Sequence, residues 1–333
     1  MNTITVAARK LTLPLLHIDS GVVPPFVTLI TVTLLGSLFV PHFGTMRTMS
    51  GIISGTAINA MVVIGVTLLM IAGEFDLSVG AIVAMGGFVF ATNIVHGGSP
   101  VVAVVLALFV SGILGTVNGL LVTWARIPSF IVTLGTASIY RAAVWIFSGG
   151  LMIQTPDRLP GVDLINGRLD VVNQFFVQAN FRTSVVWVLA IGLLVQFVLV
   201  RTQFGNHIFA VGGNVGAAAA QGVNVNLMKV ACFIITGVLA GAAGILTFSE
   251  FQTIFVATGL GVELTAIAAA VVGGTLLTGG SGNIIGGLIG VVLIEMLRTG
   301  VILLGLPSDN FEAIVGVTII GAVVLNNWLS KRA

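Results

Sequence analysis

The sequence predicts an all-α, polytopic membrane bundle, and three observations predict it. Of 333 residues, 57% are hydrophobic and only 7% are charged, whereas soluble domains run near a quarter charged. The apolar residues fall in runs, and with roughly 20 residues per bilayer crossing roughly 60% of the chain supports about ten transmembrane helices. The 43 glycines carry no G-X-Y period and the 9 prolines are few, which excludes collagen-like and disordered chains.

In chain order, 1–24 reads as an uncleaved cytoplasmic lead-in, compatible with an interfacial helix. Arg9 and Lys10 precede a short apolar stretch interrupted by Pro14 and His17, and no small-residue cleavage pattern follows. A single transmembrane domain, 25–328, then holds ten apolar runs bounded by charges, proline or Gly/Ser clusters. They are 25–40, 51–71, 78–95, 101–123, 130–149, 184–200, 230–248, 263–278, 283–297 and 311–328. Several are short or glycine-rich, which fits broken, tilted or re-entrant segments shielded by protein or lining a cavity. The tail, 329–333, reads as cytoplasmic.

Two polar segments interrupt the runs: an outer loop, 151–183, and an inner loop, 201–228, whose alanines 217–220 suit a short helix under the membrane. Placing both ends inside puts seven basic residues in inner segments and five in outer ones, with Arg141 within a span. Three of the outer five lie in 151–183, where Asp157, Asp163 and Asp170 offset them. This bias, with Trp124 and Trp328 at inner ends and Trp145 and Trp187 near outer ends, orients the bundle.

Small residues recur at helix-contact spacing in Gly115/Gly119, Gly237/Gly241 and Gly282/Gly286/Gly290, which lets helix backbones approach closely. Catalytic constellations are nearly absent. His17, His42, His96 and His207 are scattered and Cys232 is alone in an apolar run, so no metal site and no disulfide framework are expected. No Gly-Lys dipeptide exists, so no P-loop does, and ATP must be used elsewhere if at all. With 13 basic against 11 acidic residues there is no nucleic-acid footprint.

Charges inside the bilayer are costly unless paired or hydrated. Arg141 lies mid-span, about 13 Å of helix from Gly150, and has to snorkel, pair with an acid or serve a pathway. Glu74 and Asp76 occupy a turn between spans, and Glu263 opens another span; helix capping or a fixed interhelical bond suits them as well as transport does. Glu295 and Arg298 are spaced to pair locally. Asn59, Asn118, Thr133 and Thr136 are uncharged polar residues in apolar spans, suited either to a polyhydroxylated solute or to interhelical hydrogen bonds. Asn59, Asp76, Asn118, Thr133, Thr136 and Glu263 are the candidate pathway residues.

Four strings add what composition cannot. Gly73-Glu74-Phe75-Asp76-Leu77-Ser78-Val79-Gly80 resembles the GGxDLSVG segment of permeases in the ribose/arabinose/xylose class of bacterial ABC importers. Asn118-Gly119-Leu120 through Arg126-Ile127-Pro128-Ser129-Phe130-Ile131-Val132-Thr133-Leu134-Gly135-Thr136 is similar to their NGxx…KIPxFIxTLGT. Thr202-Gln203-Phe204-Gly205-Asn206 with Ala210-Val211-Gly212-Gly213-Asn214 and Gly222-Val223 resembles TxFGxxxxAxGGNxxAAxxxGI. Gly261-Val262-Glu263-Leu264-Thr265-Ala266-Ile267-Ala268-Ala269, Gly273-Gly274-Thr275 and Gly279-Gly280-Ser281-Gly282 resembles GxELDAIAAVVxGGTSLxGGxG. Glu74-Phe75 stands where Gly-Ile is more usual, and Thr265 where the family commonly has Asp.

The resemblance implies a type II-like importer permease of the bacterial inner membrane, with both termini cytoplasmic. It is expected to pair with a second copy or a paralogue, to dock cytoplasmic ATP-binding subunits, and to receive solute from a periplasmic binding protein. The chain itself would bind no cofactor; ATP and Mg would be used by the partner ATPase. Coupling falls to Asn214, Ala217, Ala218, Ala219, Ala220, Gln221 and Gly222. The expected solute is a monosaccharide or related polyhydroxylated compound, with an autoinducer, a nucleoside or a branched-chain amino acid as alternatives. An ion-coupled secondary transporter using Glu263 is the rival from another class, whereas a membrane-embedded enzyme has no nucleophile or metal cluster to support it.

Overall fold

A computed structural model describes residues 22–155 and 161–307, together with the isolated positions 313, 316, 317, 320 and 321. Its helices are α1 (Val23–Phe39), α2 (Met46–Ile71), α3 (Val79–Val95), α4 (Pro100–Ala125), α5 (Ser129–Ser148), α6 (Val162–Asn166) and α7 (Asp170–Asn173). They continue with α8 (Thr183–Arg201), α9 (Gln203–Gly213), α10 (Val215–Ala220), α11 (Val225–Phe251), α12 (Val262–Val272) and α13 (Ile284–Leu303). Two short strands, β1 (Ile153–Gln154) and β2 (Thr253–Ile254), pair antiparallel with Ile153 opposite Ile254.

Local chemistry sets the helix ends. Prolines stand in the first turns of α1 and α4, where no N–H is needed. Side-chain oxygens of Thr45, Thr202, Asn214, Asn224 and Asn283 accept first-turn N–H groups of α2, α9, α10, α11 and α13, each satisfying a donor the helix cannot.

Six helices, α2, α4, α5, α8, α11 and α13, are long and apolar enough to cross a membrane, and α1, α3 and α12 are shorter apolar helices. The chain is thus an all-α polytopic membrane protein. The expected span 263–278 is corrected: α12 stops at Val272, and its 11 residues reach about 16 Å, roughly half of a crossing. Gly273 and Gly274 follow, with Gly274 at φ 92°, and they turn the chain out of the helix although apolar residues continue to Leu277. Most of the span expected at 311–328, most of the lead-in 1–24 and the tail 329–333 lie outside the described residues. The inner loop 201–228 is mostly helical, being the end of α8, α9, α10 and the start of α11.

The bundle is built around α2 and α11. In its most apolar stretch α2 is 78% buried and α11 61%, against 22% for each of α4, α5 and α8. Those three are peripheral and turn apolar side chains such as Phe109, Trp124, Ile146 and Leu193 outward, as a lipid-facing surface does. Contacts at the centre are backbone on backbone. A Cβ at Gly115 would stand 2.3 Å from the Phe233 carbonyl oxygen, and one at Gly244 2.1 Å from that of Val83. Gly237 meets Ser111 and Gly115, and Gly290 meets Ala269, so these glycines make helix contacts; Gly282 is the exception, lying in non-helical backbone ahead of the Asn283 cap of α13.

At one end, 161–182 packs on α11. Asn166 Nδ2 donates to Glu250 at 2.7 Å, Arg182 pairs with Glu250 at 3.1 Å, and the Asn180 backbone binds Ser50 and Ser54 of α2. The opposite end holds α9 and α10. Gly115→Val is expected to lower the thermal stability of the detergent-solubilised protein by at least ~1–3 kcal/mol, the cost of overpacking. Gly135→Ala, at a site with nothing within 4 Å, serves as the control, and equal unfolding midpoints for both variants would remove the close-contact argument.

Candidate functional site

The turn between α2 and α3 is the first feature with chemistry. Leaving the helix at Ile71, the chain turns at Gly73 (φ 83°) and runs non-helically to Ser78 inside the bundle. Its backbone donors go to side chains of α5: Phe75 N–H to Ser129 Oγ at 3.1 Å and Leu77 N–H to Thr133 Oγ1 at 3.0 Å. Asp76, 1% exposed, accepts from the Ser78 N–H at 2.8 Å, the Ser78 hydroxyl at 2.6 Å and Asn118 Nδ2 at 3.2 Å. Asn118 also donates to Ser78 Oγ at 2.7 Å and accepts from the Tyr140 hydroxyl at 2.9 Å. A buried carboxylate persists only where such donors replace water.

Two further ties bind this turn to the α9–α10 end. Glu74 forms a sheltered, hydrogen-bonded ion pair with Lys229 of α11. The Gly280 N–H donates to the Ile71 carbonyl at 2.9 Å, and a Cβ at Gly212 would lie 1.8 Å from that same oxygen. The end of α9 therefore sits directly against the end of α2. Beyond it, Asn214 caps α10 through the Ala217 N–H at 2.9 Å, Ala218 is buried, and Ala217, Ala219, Ala220, Gln221 and Gly222 are exposed.

A separate cavity of about 200 Å³ lies between α2, α11, α12 and α13. Its polar lining is Asn59, Thr247, Thr258 and Arg298, with Phe251 and Val262 among its apolar walls. One wall is the non-helical segment between β2 and α12, which packs on the start of α3: a Cβ at Gly259 would lie 2.4 Å from the Gly80 carbonyl oxygen. Glu263 opens α12 just beyond, its Oε1 accepting the Gly261 N–H at 3.3 Å and its Oε2 buried beside Gly80. Arg298 is 3.9 Å from Glu295, the local pair expected from their spacing.

The six candidate pathway residues thus divide. Asp76, Asn118, Thr133 and Thr136 are buried together at the α2–α3 turn, Thr136 donating to the Thr133 carbonyl. Asn59 lines the cavity, and Glu263 adjoins it. Arg141 does not pair with an acid in a salt bridge; its guanidinium donates to the backbone carbonyls of Val256 and Thr258. Sequence reasoning passed over Ser78, Tyr140, Lys229, Thr247, Thr258 and the cavity-facing role of Arg298. Of these only Tyr140, the chain's single tyrosine, standing in an apolar run, carried a local signal. Among the described residues no three of His, Cys, Asp and Glu gather into a metal-binding group.

Comparison with known proteins places these features in context. Residues 48–323 match the family described as branched-chain amino acid transport system / permease component. The ribose import permease protein of Bacillus subtilis is 34% identical over 91% of this chain and 91% of its own. The D-allose transport system permease protein of Escherichia coli is 32% identical, covering 92% and 91%. The autoinducer 2 import system permease protein of Photorhabdus luminescens is 30% identical, covering 86% and 84%. Comparison with solved structures gives no match.

Two outcomes test the turn. Glu74→Lys or Lys229→Glu alone is expected to cost roughly 3–5 kcal/mol, because each leaves a sheltered charge unpaired. The double exchange recovers most of it in thermal unfolding, and no recovery would show that the pair does not act as a unit. Tyr140→Phe is expected to cost about 1–3 kcal/mol by leaving the buried Asn118 oxygen without its donor, measured in the same assay.

Proposed function

The chain belongs to the branched-chain amino acid transport system / permease component family, and from that membership we propose that it is the membrane permease subunit of an ATP-driven importer. Its solute, in this reading, is a monosaccharide or related small polyhydroxylated compound, delivered by a periplasmic binding protein and released to the cytoplasm. The observation that carries the reading is similarity along some nine-tenths of the chain to permeases named for ribose and D-allose. The relative named for autoinducer 2 keeps that solute as the runner-up.

The cavity chemistry agrees. The Asn59 amide and the Thr247 and Thr258 hydroxyls both donate and accept hydrogen bonds, as a neutral polyol requires, and the Phe251 ring offers an apolar face to sugar C–H groups. A cavity of about 200 Å³ is small for a ligand site, which favours one sugar ring over an oligosaccharide. We assign Asn59 to the pathway and Glu263 to its margin. Asp76, Asn118, Thr133 and Thr136 are assigned to holding the α2–α3 turn.

ATP and Mg would be used by a separate ATPase subunit, which this reading docks at the α9–α10 end, facing the cytoplasm. Asn214, Ala217, Ala218, Ala219, Ala220, Gln221 and Gly222 form the contact or support it. Movement of α10 passes to α9, and from Gly212 to Ile71 and Gly280. The helices reached in this way, α2 and through Lys229 α11, are the ones that carry Asn59 and Thr247. Packed elements of this kind shift as rigid bodies between discrete arrangements. A second copy or a paralogue completes the permease pair in the inner membrane, with both termini cytoplasmic.

The test is uptake of labelled ribose, allose and related polyols into proteoliposomes holding this chain with and without its ATPase and binding protein. Uptake that needs ATP and both partners is expected; uptake by this chain alone down an ion gradient would replace the reading with a secondary transporter. Asn59→Leu is expected to cut uptake at least tenfold with ATPase association unchanged, whereas replacing 214–222 by a Gly-Ser linker abolishes that association.

A further inference from the structure

Arg141 is a strongly basic group at the thirteenth position of the 20-residue α5, about 18 Å along it. A guanidinium at that depth costs several kcal/mol unless it finds partners. Its hydrogen-bond acceptors are unusual in kind, being two main-chain carbonyls, of Val256 and Thr258, while the charge of Glu263 acts on it from beyond ion-pair distance.

The reason lies in the backbone of 255–261. This stretch joins β2 to α12 without forming a helix, and Gly259 and Gly261 are at φ 77° and 79°. Thr258 is buried and Val256 and Gly259 are half-buried, while the other residues of the stretch are exposed; where the backbone is shielded from water its carbonyls need donors from protein. Alternate carbonyls find one within the segment: Phe255 from Thr258 N–H at 2.9 Å, Ala257 from Leu260 N–H at 3.2 Å, and Gly259 from Val262 N–H at 3.3 Å. The intervening carbonyls, of Val256 and Thr258, are the two that receive Arg141. One guanidinium on a peripheral helix therefore supplies both of these carbonyls, the two N–H donors of its Nη1 serving two acceptors at once.

The same segment supplies a wall of the cavity through Thr258 and Gly259, and Thr258 Oγ1 is itself fixed by the Phe255 N–H at 3.1 Å. We propose that Arg141 is a positioning residue for transport: by clamping the Val256 and Thr258 carbonyls it holds 255–261 closed as the cavity wall. Loss of the clamp loosens that wall while the rest of the bundle stays packed. The transport consequence rests on the cavity being the solute pathway; the clamp itself does not.

The experiment is thiol labelling of the full chain in proteoliposomes with a membrane-impermeant maleimide. Thr258→Cys is the reporter, since Thr258 is 8% exposed and the native Cys232 is wholly buried. Thr258→Cys is expected to label at least tenfold faster on Arg141→Met than on the parent, with Cys232 still unreactive. Arg141→Lys keeps the charge on a shorter side chain that does not place its nitrogen between both carbonyls, gives an intermediate rate, and decides the matter should the methionine variant not fold. Unchanged labelling of Thr258→Cys in folded protein overturns the proposal, and so does a parallel rise at Cys232, which would make Arg141 a general packing residue. In the uptake assay Arg141→Lys is expected to raise the solute concentration for half-maximal uptake at least threefold. A labelling effect without any solute uptake would leave the clamp standing and count against the cavity as pathway.

Discussion

A chain that leaves helical geometry inside an apolar bundle must find protein partners for every main-chain N–H and C=O it frees, because no solvent is there to take them. That requirement governs two of the places where this bundle is interrupted. At the α2–α3 turn the freed donors go to Ser129, Thr133 and Asp76. At 255–261 the freed acceptors go to Arg141. Both solutions draw on α5, a helix whose outer face is largely exposed apolar surface and whose inner face carries the polar groups. The peripheral helix thus acts as the satisfying partner for the irregular backbone of its neighbours.

The interruptions are also where the elements with separate duties meet. The first lies beside the contact of α9 with α2, and the second forms part of the cavity. Between them stand α2 and α11, and α11 meets α3 and α4 through Gly115, Gly237, Gly241 and Gly244, with Phe248 edge-on to Phe90 as a bulky exception. Glycine-on-carbonyl contacts give close dispersion packing with few interlocking side chains. A pair of helices joined in that way can slide or tilt by a small amount without breaking rotamer-specific contacts, which suits a bundle that has to occupy more than one arrangement.

How much of this was legible in the sequence follows from what each interaction requires. Most of the glycines four residues apart, the Glu295–Arg298 pair and a short helix over alanines 217–220 were visible because their geometry is local. The end of α12 was hidden, since apolar residues continue past Gly273 and a hydropathy run does not register a turn. The Asp76 network joins residues 42 and 22 positions apart through Asn118, so its members appeared as isolated polar residues with equal claims to a pathway. Arg141 was conspicuous as a charge, yet its partners are main-chain oxygens, which every residue has and no side-chain pattern marks. Asn59 looked like Asn118 in sequence; only the packing separates the one on a cavity from the one in a buried network.

The Glu74–Lys229 pair has a consequence for descent. The GGxDLSVG pattern that 73–80 resembles has glycine where this chain has Glu74, a residue that asks nothing of position 229. Once a carboxylate is installed and sheltered there, neither member can be replaced without the other except at a cost in folding. The two sites become a single heritable character, open to joint change and closed to stepwise change, and lineages that share the acid should share the lysine 155 positions away.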